Sequence, residues 1–272
     1  MNQLIDEYTD RIGFRAPLEP TVECLRLLHE AHLYHVPFEN FSMHANAERG
    51  LDVEALHPAI VDRRRGGICF ETGRMAQWLF DACGFHYEIR LAGVATPSRT
   101  PATHQVFVVT VDGERWLFDI GFGARGPRGL LRLADGEETA HPALSSRVRL
   151  ERGTGAPVWT VSVREHAVNA AQWQDIYSFV DHPVDDVDLD MAHFYTTMSP
   201  HSLLNRHKVA SIPTPTGRVS VRDRHLTIVQ AGTSTTTPIH DDAELQDLLA
   251  RYFGLAVPQQ DLAAREAAPC AS

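Results

Sequence analysis

The sequence has few cysteines, and their spacing does not suit a structural framework. Its 272 residues contain four, Cys24, Cys69, Cys83 and Cys270, and no C-x-x-C pair. This spacing predicts neither a zinc ribbon nor the disulfide framework of small secreted domains. We therefore expect a cytoplasmic protein, because a reducing compartment keeps a free thiol reactive.

An excess of positive charge is also missing. The formal net charge is -10, whereas sequence-independent nucleic-acid binding needs a basic surface. No apolar stretch approaches the length of a membrane span, and no basic segment followed by an apolar run opens the chain. We expect neither nucleic acid nor a membrane as partner. A phosphorylated co-substrate stays compatible, because the field inside a cleft can oppose the net charge.

What the sequence contains is helical periodicity first and strand alternation later. Helices are predicted at Thr21–Leu33, Cys69–Cys83 and Asp241–Phe253, with Gly84 and Gly254 as stops. Strands are predicted at His104–Val111, Glu114–Ile120, Arg147–Glu151, Val158–Val163, Val219–Val221 and Leu226–Val229. This order predicts the α+β class with subdomains, not alternating βαβ units.

Cys69 differs from the other cysteines in its local sequence. It follows Gly66-Gly67-Ile68 and begins a predicted helix. Unpaired N–H groups and the helix dipole at such a start favour a thiolate. Cys69 is therefore a candidate nucleophile, although a buried structural cysteine would also fit this position. Cys24 and Cys83, inside predicted helices, are expected to be structural.

A base and its orienting group can be derived from one hairpin. Asp112-Gly113 predicts a two-residue turn that pairs Val111 with Glu114. In that register His104 and Asp119 are diagonal neighbours on one face of the sheet, within side-chain reach of each other. The pair could orient a catalytic base or be a structural hydrogen bond, and the hairpin alone does not bring Cys69 to His104.

Three further patterns give weaker indications. The segment Gly121–Gly126 matches G-x-G-x-x-G but opens no helix, so it does not predict a dinucleotide site. His29, His32 and His35 recur every three residues, and we expect solvated or capping histidines; no metal site is predicted. Arg65 closes an arginine run before the glycine turn, where it could serve the active site or be solvated.

Taken together, these residues resemble the arylamine N-acetyltransferase family over nearly the whole chain. The resemblance is carried by Arg11-Ile12-Gly13, Pro37-Phe38-Glu39-Asn40, Arg65-Gly66-Gly67-x-Cys69-x-Glu71, Thr103-His104, Asp119-Ile120-Gly121-Phe122-Gly123, Ser199-Pro200-His201-Ser202 and Pro213-Thr214-Pro215-Thr216-Gly217-Arg218.

The resemblance implies an N-terminal helical bundle (1–86), a central β-barrel-like subdomain (87–190) and a C-terminal α/β lid (191–272). It implies a Cys-His-Asp triad, which maps onto Cys69, His104 and Asp119. Two sets of binding residues are implied as well. Substrate would contact Phe38, Phe122 and Thr103, and coenzyme A would contact Thr103, Gly123 and Thr214.

The reaction implied is a ping-pong acetyl transfer from acetyl-coenzyme A, through acetyl-Cys69, to the nitrogen of an arylamine, arylhydrazine or N-hydroxyarylamine. Three readings compete with it. They are an amide synthase of the same fold acting on a carrier-bound polyketide, a cysteine hydrolase, and a non-catalytic binding protein. Leu204, Ala192-His193 and Lys208 depart from the family pattern and concern the lid, not the triad.

Overall fold

The computed structural model describes residues 3–45, 50–96, 100–169 and 171–262. Within them the helices are α1 (Gln3–Ile12), α2 (Val22–His35), α3 (Phe41–His44), α4 (Val53–His57), α5 (Cys69–Cys83), α6 (His166–Asn169), α7 (Asp186–Met198), α8 (Leu203–Arg206), α9 (Asp242–Phe253) and α10 (Gln259–Leu262). A π-helical turn, Pro58–Asp62, continues α4. Cys270 lies outside the described residues.

The strands follow one another mainly in the middle of the chain. They are β1 (Phe38–Glu39), β2 (His86–Val94), β3 (Ala102–Val111), β4 (Glu114–Phe118), β5 (Leu131–Arg132), β6 (Glu138–Thr139), β7 (Leu144–Glu151), β8 (Val158–Glu165), β9 (Gln174–Val180), β10 (Val209–Thr214), β11 (Gly217–Arg222), β12 (His225–Gln230) and β13 (Thr233–Pro238).

Two antiparallel sheets organise these strands. The larger sheet has eight strands in the order β5-β4-β3-β2-β9-β8-β7-β6, and it curls until β5 approaches β7, so that a barrel nearly closes. The smaller sheet has the order β1-β10-β11-β12-β13. Its edge strand β1 comes from the helical part of the chain and pairs Phe38 with Ser211. The predicted α+β class is confirmed.

Strand β3 separates two hydrophobic cores, because its side chains alternate between the faces of the sheet. Phe107 and Val109 pack against α1, α2 and α5. Val106 and Val108 point instead into the barrel. His104 has the same parity as the second pair, which directs its ring to the barrel side. A third core joins the smaller sheet to α9.

The three predicted helices form, and α5 has the predicted ends, whereas α2 continues two residues beyond the predicted end, to His35. Side-chain oxygens of Thr21 and Asp241 accept first-turn backbone N–H groups and so cap α2 and α9. Gly84 and Gly254 end α5 and α9 in the left-handed conformation, with φ of 76° and 65°, which glycine adopts without a Cβ penalty. Among the described residues, no helix has the length and apolar character that crossing a bilayer requires.

Candidate active site

Cys69 is the first residue of α5 and is 5% exposed. The backbone before it is extended at Ile68, and the Ile68 N–H donates to the Glu71 carboxylate at 2.8 Å. Glu71 therefore fixes the turn from which the helix starts. The first N–H groups of α5 have no partner within the helix and lie around the sulfur-bearing residue.

The segment before Cys69 is held by a buried ion pair. Arg65 Nε lies 2.9 Å from Glu39 Oε1, and its guanidinium also donates to Ser42 and approaches Asp261. Arg65 is 7% exposed and is absent from the lining of the cavity described below. It is therefore neither solvated nor in contact with the cavity, and it anchors the Gly66-Gly67 turn.

His104 and Asp119 meet through the hairpin. The structure pairs Val111 with Glu114 and Phe107 with Phe118, which confirms the predicted register. In that register His104 Nε2 lies 3.1 Å from Asp119 Oδ2, and both residues are buried. The hydrogen bond to Asp119 fixes the orientation of the imidazole and leaves Nδ1 for another partner.

The Asp119 carboxylate is embedded in further contacts. The Gly121 N–H donates to Oδ1 at 3.0 Å, and His29 Nε2 donates to the Asp119 backbone oxygen at 2.9 Å. Burial alone would raise the pKa of Asp119, but His104, the nearby Tyr177 hydroxyl and the Gly121 N–H outweigh it and lower the pKa below its ordinary value. Asp119 is consequently an anion at neutral pH.

The same contacts set the charge of His104. Burial alone would lower its pKa, but the Asp119 charge and hydrogen bond, together with Cys69, raise the pKa to about 10. The resulting stabilisation is fully present below the unfolded-state value of about 6.5 and is lost as pH rises through 10. At neutral pH the pair is therefore an imidazolium beside a carboxylate.

Cys69 reaches this pair from the other side. The Cys69 and His104 side chains line the same cavity, and Cys69 contributes to the raised pKa of His104. The Cys69 Sγ lies 3.8 Å from the backbone oxygen of Thr103, the residue before His104. Gly121 lies directly against Cys69, because a Cβ at position 121 would stand 2.5 Å from the Cys69 Cβ. The glycine thus lets α5 approach the loop that carries Asp119.

A cavity of about 230 Å³ opens above the sulfur, with mainly apolar walls. It is lined by Phe38, Cys69, Val94, Thr100, Pro101, Thr103, His104, Gly121, Phe122, Tyr195, Thr196, His201, Ser202, Leu203 and Leu204. The cavity thus brings Phe38, Thr103 and Phe122 together with Cys69 and His104, whereas Asp119 is not among its lining residues. Gly123 and Thr214 are not among its lining residues, and their role stays a prediction.

Aromatic rings pack around the imidazole. The rings of Phe122 and Tyr177 lie 5.2 Å and 5.0 Å from that of His104. Tyr177 is 1% exposed, and burial together with the Asp119 charge raises its pKa well above the ordinary value, so it stays a neutral phenol. Its inward position in β9 follows from strand alternation, but its contact with the His104 ring joins β9 to β3, which are distant in sequence, and has no local signal.

The expectation of solvated histidines on α2 is wrong for two of the three. His29 and His32 are fully buried, and His32 Nδ1 lies 2.7 Å from the Tyr8 hydroxyl. Burial lowers the pKa of both, to about 3 for His32, so these rings are neutral. Only His35 is exposed. In the described part of the chain no three potential metal ligands cluster.

The charge of His104 can be read by NMR. In a pH titration its imidazole signals should keep the protonated form across about pH 6 to 8, while His32 stays neutral and serves as an internal control. In Asp119→Asn the pKa of His104 should fall below about 6.5, because burial remains and the compensating charge is gone. A wild-type His104 that loses its proton near pH 6.5 would contradict this description of the site.

Comparisons with known proteins identify the family to which the sequence is related. A family model described as N-acetyltransferase matches residues 21–262. The arylamine N-acetyltransferase / N-hydroxyarylamine O-acetyltransferase of Salmonella typhimurium is 30% identical, over 94% of this chain and 90% of its own.

Solved structures of arylamine N-acetyltransferases have the same fold as this chain. That of the arylamine N-acetyltransferase from Mycobacterium abscessus superposes with a TM-score of 0.88 and 28% identity, covering 96% of this chain and 92% of its own. The structure of the Mycobacterium marinum arylamine N-acetyltransferase in complex with CoA superposes with a TM-score of 0.82 and 26% identity. The match covers 94% of this chain and 96% of its own. The chain therefore belongs to the arylamine N-acetyltransferase family.

Proposed function

We propose that this protein transfers an acetyl group from acetyl-coenzyme A, through an acetyl-Cys69 intermediate, to the nitrogen of an arylamine, arylhydrazine or N-hydroxyarylamine. The observation that carries the proposal is that Cys69 and His104 line one apolar cavity, while the hydrogen bond to Asp119 keeps the His104 imidazole protonated. Membership of the family supports the choice of acetyl-coenzyme A as donor.

The first half-reaction forms the acyl-enzyme. His104, as an imidazolium, favours the thiolate form of Cys69, and the thiolate attacks the thioester carbonyl. Backbone N–H groups in the first turn of α5 can stabilise the oxyanion. The carbon–sulfur bond of the donor then breaks, the proton of His104 passes to the coenzyme A sulfur, and the acetyl group stays on Cys69.

The second half-reaction regenerates the enzyme. The amine nitrogen attacks the acetyl-Cys69 carbonyl, and the now neutral His104 accepts the proton that the nitrogen loses. The bond to Cys69 breaks and the sulfur leaves as a thiolate beside the re-formed imidazolium. Asp119 stabilises that imidazolium and fixes its tautomer in both half-reactions.

The apolar walls of the cavity suit an aromatic acceptor. Phe38 and Phe122 line it together with Leu203 and Leu204, and these side chains can pack against an aromatic ring. Leu204, which departs from the family pattern, is thus in a position to affect acceptor choice. A cytoplasmic location suits the reaction, because a reducing compartment keeps the Cys69 thiol free.

Coenzyme A contacts are assigned to Thr103, Gly123 and Thr214 on the basis of the family resemblance. Thr103 is half-buried at the cavity wall, next to His104, which suits a group near the thioester end of the donor. Thr214 ends β10 and is also half-buried. The amine of Lys208, which departs from the family pattern, donates to backbone oxygens of Asp261 and Leu262.

Formation of the acyl-enzyme tests the proposal. After incubation with acetyl-coenzyme A and without amine, mass spectrometry should find one acetyl group, located on Cys69. Cys69→Ala should lose both the adduct and turnover, because the covalent route has no substitute nucleophile. Buried Cys24 and Cys83 in the same digest serve as controls and should stay unmodified.

Other outcomes separate the competing functions. Rapid release of acetate without an amine would favour a hydrolase, and acylation only by a carrier-bound donor would favour an amide synthase. Undiminished turnover by Cys69→Ala would contradict the proposal.

The contact between Gly121 and Cys69 gives a second prediction. Gly121→Ala places a methyl group inside van der Waals contact with Cys69, so the sulfur must move. A displacement of about 1 Å in an active site can cost roughly 100-fold in rate, and we expect a loss of that order in kcat. Gly153→Ala is the matched control, since a Cβ there meets open space, and it should retain wild-type kinetics. Equal rates for both variants would show that the close approach is irrelevant to catalysis.

A further inference from the structure

Helix α7 is apolar on two opposite faces. Its inner face packs against the protein with Leu189, Ala192 and Thr196, all buried. Its outer face carries Val187, Met191, Phe194 and Met198, whose exposed fractions are 73%, 70%, 67% and 45%. The spacings of four, three and four residues place these side chains in one line along the helix.

A fifth exposed apolar side chain follows the helix in sequence. Leu203, the first residue of α8, is 41% exposed. We call Val187, Met191, Phe194, Met198 and Leu203 the outer stripe. The other large apolar side chains that the described residues expose are Val168 and Val180, in different elements. Exposed apolar side chains are normally scattered, and a contiguous set with a polar border marks an interaction surface.

Charge is distributed unevenly along the outer stripe. Four exposed aspartates, Asp185, Asp186, Asp188 and Asp190, surround its N-terminal half. Exposed His201 and Arg206 follow its C-terminal end. The aspartates would repel an anionic lipid surface or a nucleic acid, and they disfavour approach of coenzyme A phosphates along this face.

This pattern is complementary to itself. If a second copy of α7 lies antiparallel across the outer stripe, with the twofold axis near Phe194, the two apolar lines meet along their length. The acidic N-terminal half of each copy then faces the segment with His201 and Arg206 of the other. Such an arrangement has the apolar centre, charged rim and closed symmetry of a twofold interface.

We propose that the outer stripe is the interface of a homodimer in which two copies of α7 pack antiparallel. Met191 and Met198 suit this role, because the flexible methionine side chain adapts to an opposing surface. Leu203 belongs both to the outer stripe and to the cavity lining, so the second copy lies beside the active-site cavity. The interface is independent of the proposed acetyl transfer, and its test needs no activity measurement.

Sedimentation velocity of the full-length protein tests the proposal. From about 1 to 100 µM, a range that covers moderate dissociation constants, the wild type should form a dimer and no larger species. Met191→Glu and Phe194→Glu should each be monomeric, because a carboxylate would be buried at the centre of the interface. Val168→Glu is the control: it places the same charge at an exposed valine outside the outer stripe and should remain dimeric.

A charge exchange tests the orientation of the two helices. Asp186→Arg and Arg206→Asp should each weaken the dimer, because each places like charges opposite one another, and the double variant should restore it. Far-UV circular dichroism establishes that each variant is folded. A wild-type monomer at every concentration would overturn the proposal, as would a dimer that Phe194→Glu leaves intact or a larger open-ended assembly.

Discussion

The charge state of the candidate active site depends on the cost of burying a carboxylate. Asp119 is 3% exposed, and an unpaired charge at such a depth would be strongly unfavourable. The His104 hydrogen bond and the Gly121 N–H offset that cost, and His29 holds the backbone of the same residue. Because Asp119 stays ionised, His104 stays protonated, and the chemistry that we propose for Cys69 depends on that proton. Removing the carboxylate would therefore change the charge of the whole site.

Local signals were enough to predict the part of the site that lies in one hairpin. Asp112 and Gly113 adopt φ of 52° and 78°, as a two-residue turn between twisted strands requires. That turn fixes the register, and strand alternation then fixes which residues share a face with His104. The ends of α5 could also be predicted from the neighbouring sequence, because a glycine pair precedes the helix and Gly84 follows it.

Contacts between residues that are distant in sequence could not be predicted from local patterns. The approach of α5 to the hairpin depends on Gly121, which the sequence offered only as part of a discarded dinucleotide pattern, and on the buried pair of Arg65 and Glu39. The link between Cys69 and His104 accordingly came from the family resemblance. The α2 histidines were misassigned because their partners, Tyr8 and the Asp119 backbone, are distant in sequence. Helix α7 was not predicted, because it has apolar residues on both faces and so lacks the periodicity by which a half-buried helix is recognised in a sequence.

The central claim is that Asp119, acting through His104, sets the reactivity of Cys69. The most direct measurement is the rate of Cys69 alkylation by iodoacetamide at neutral pH, followed by peptide mass spectrometry in the wild type and in Asp119→Asn. Cys69 should react markedly faster in the wild type, because an imidazolium next to a cysteine favours its nucleophilic form and Asp119→Asn removes the charge that keeps His104 protonated. Equal alkylation rates in the two proteins would contradict the account.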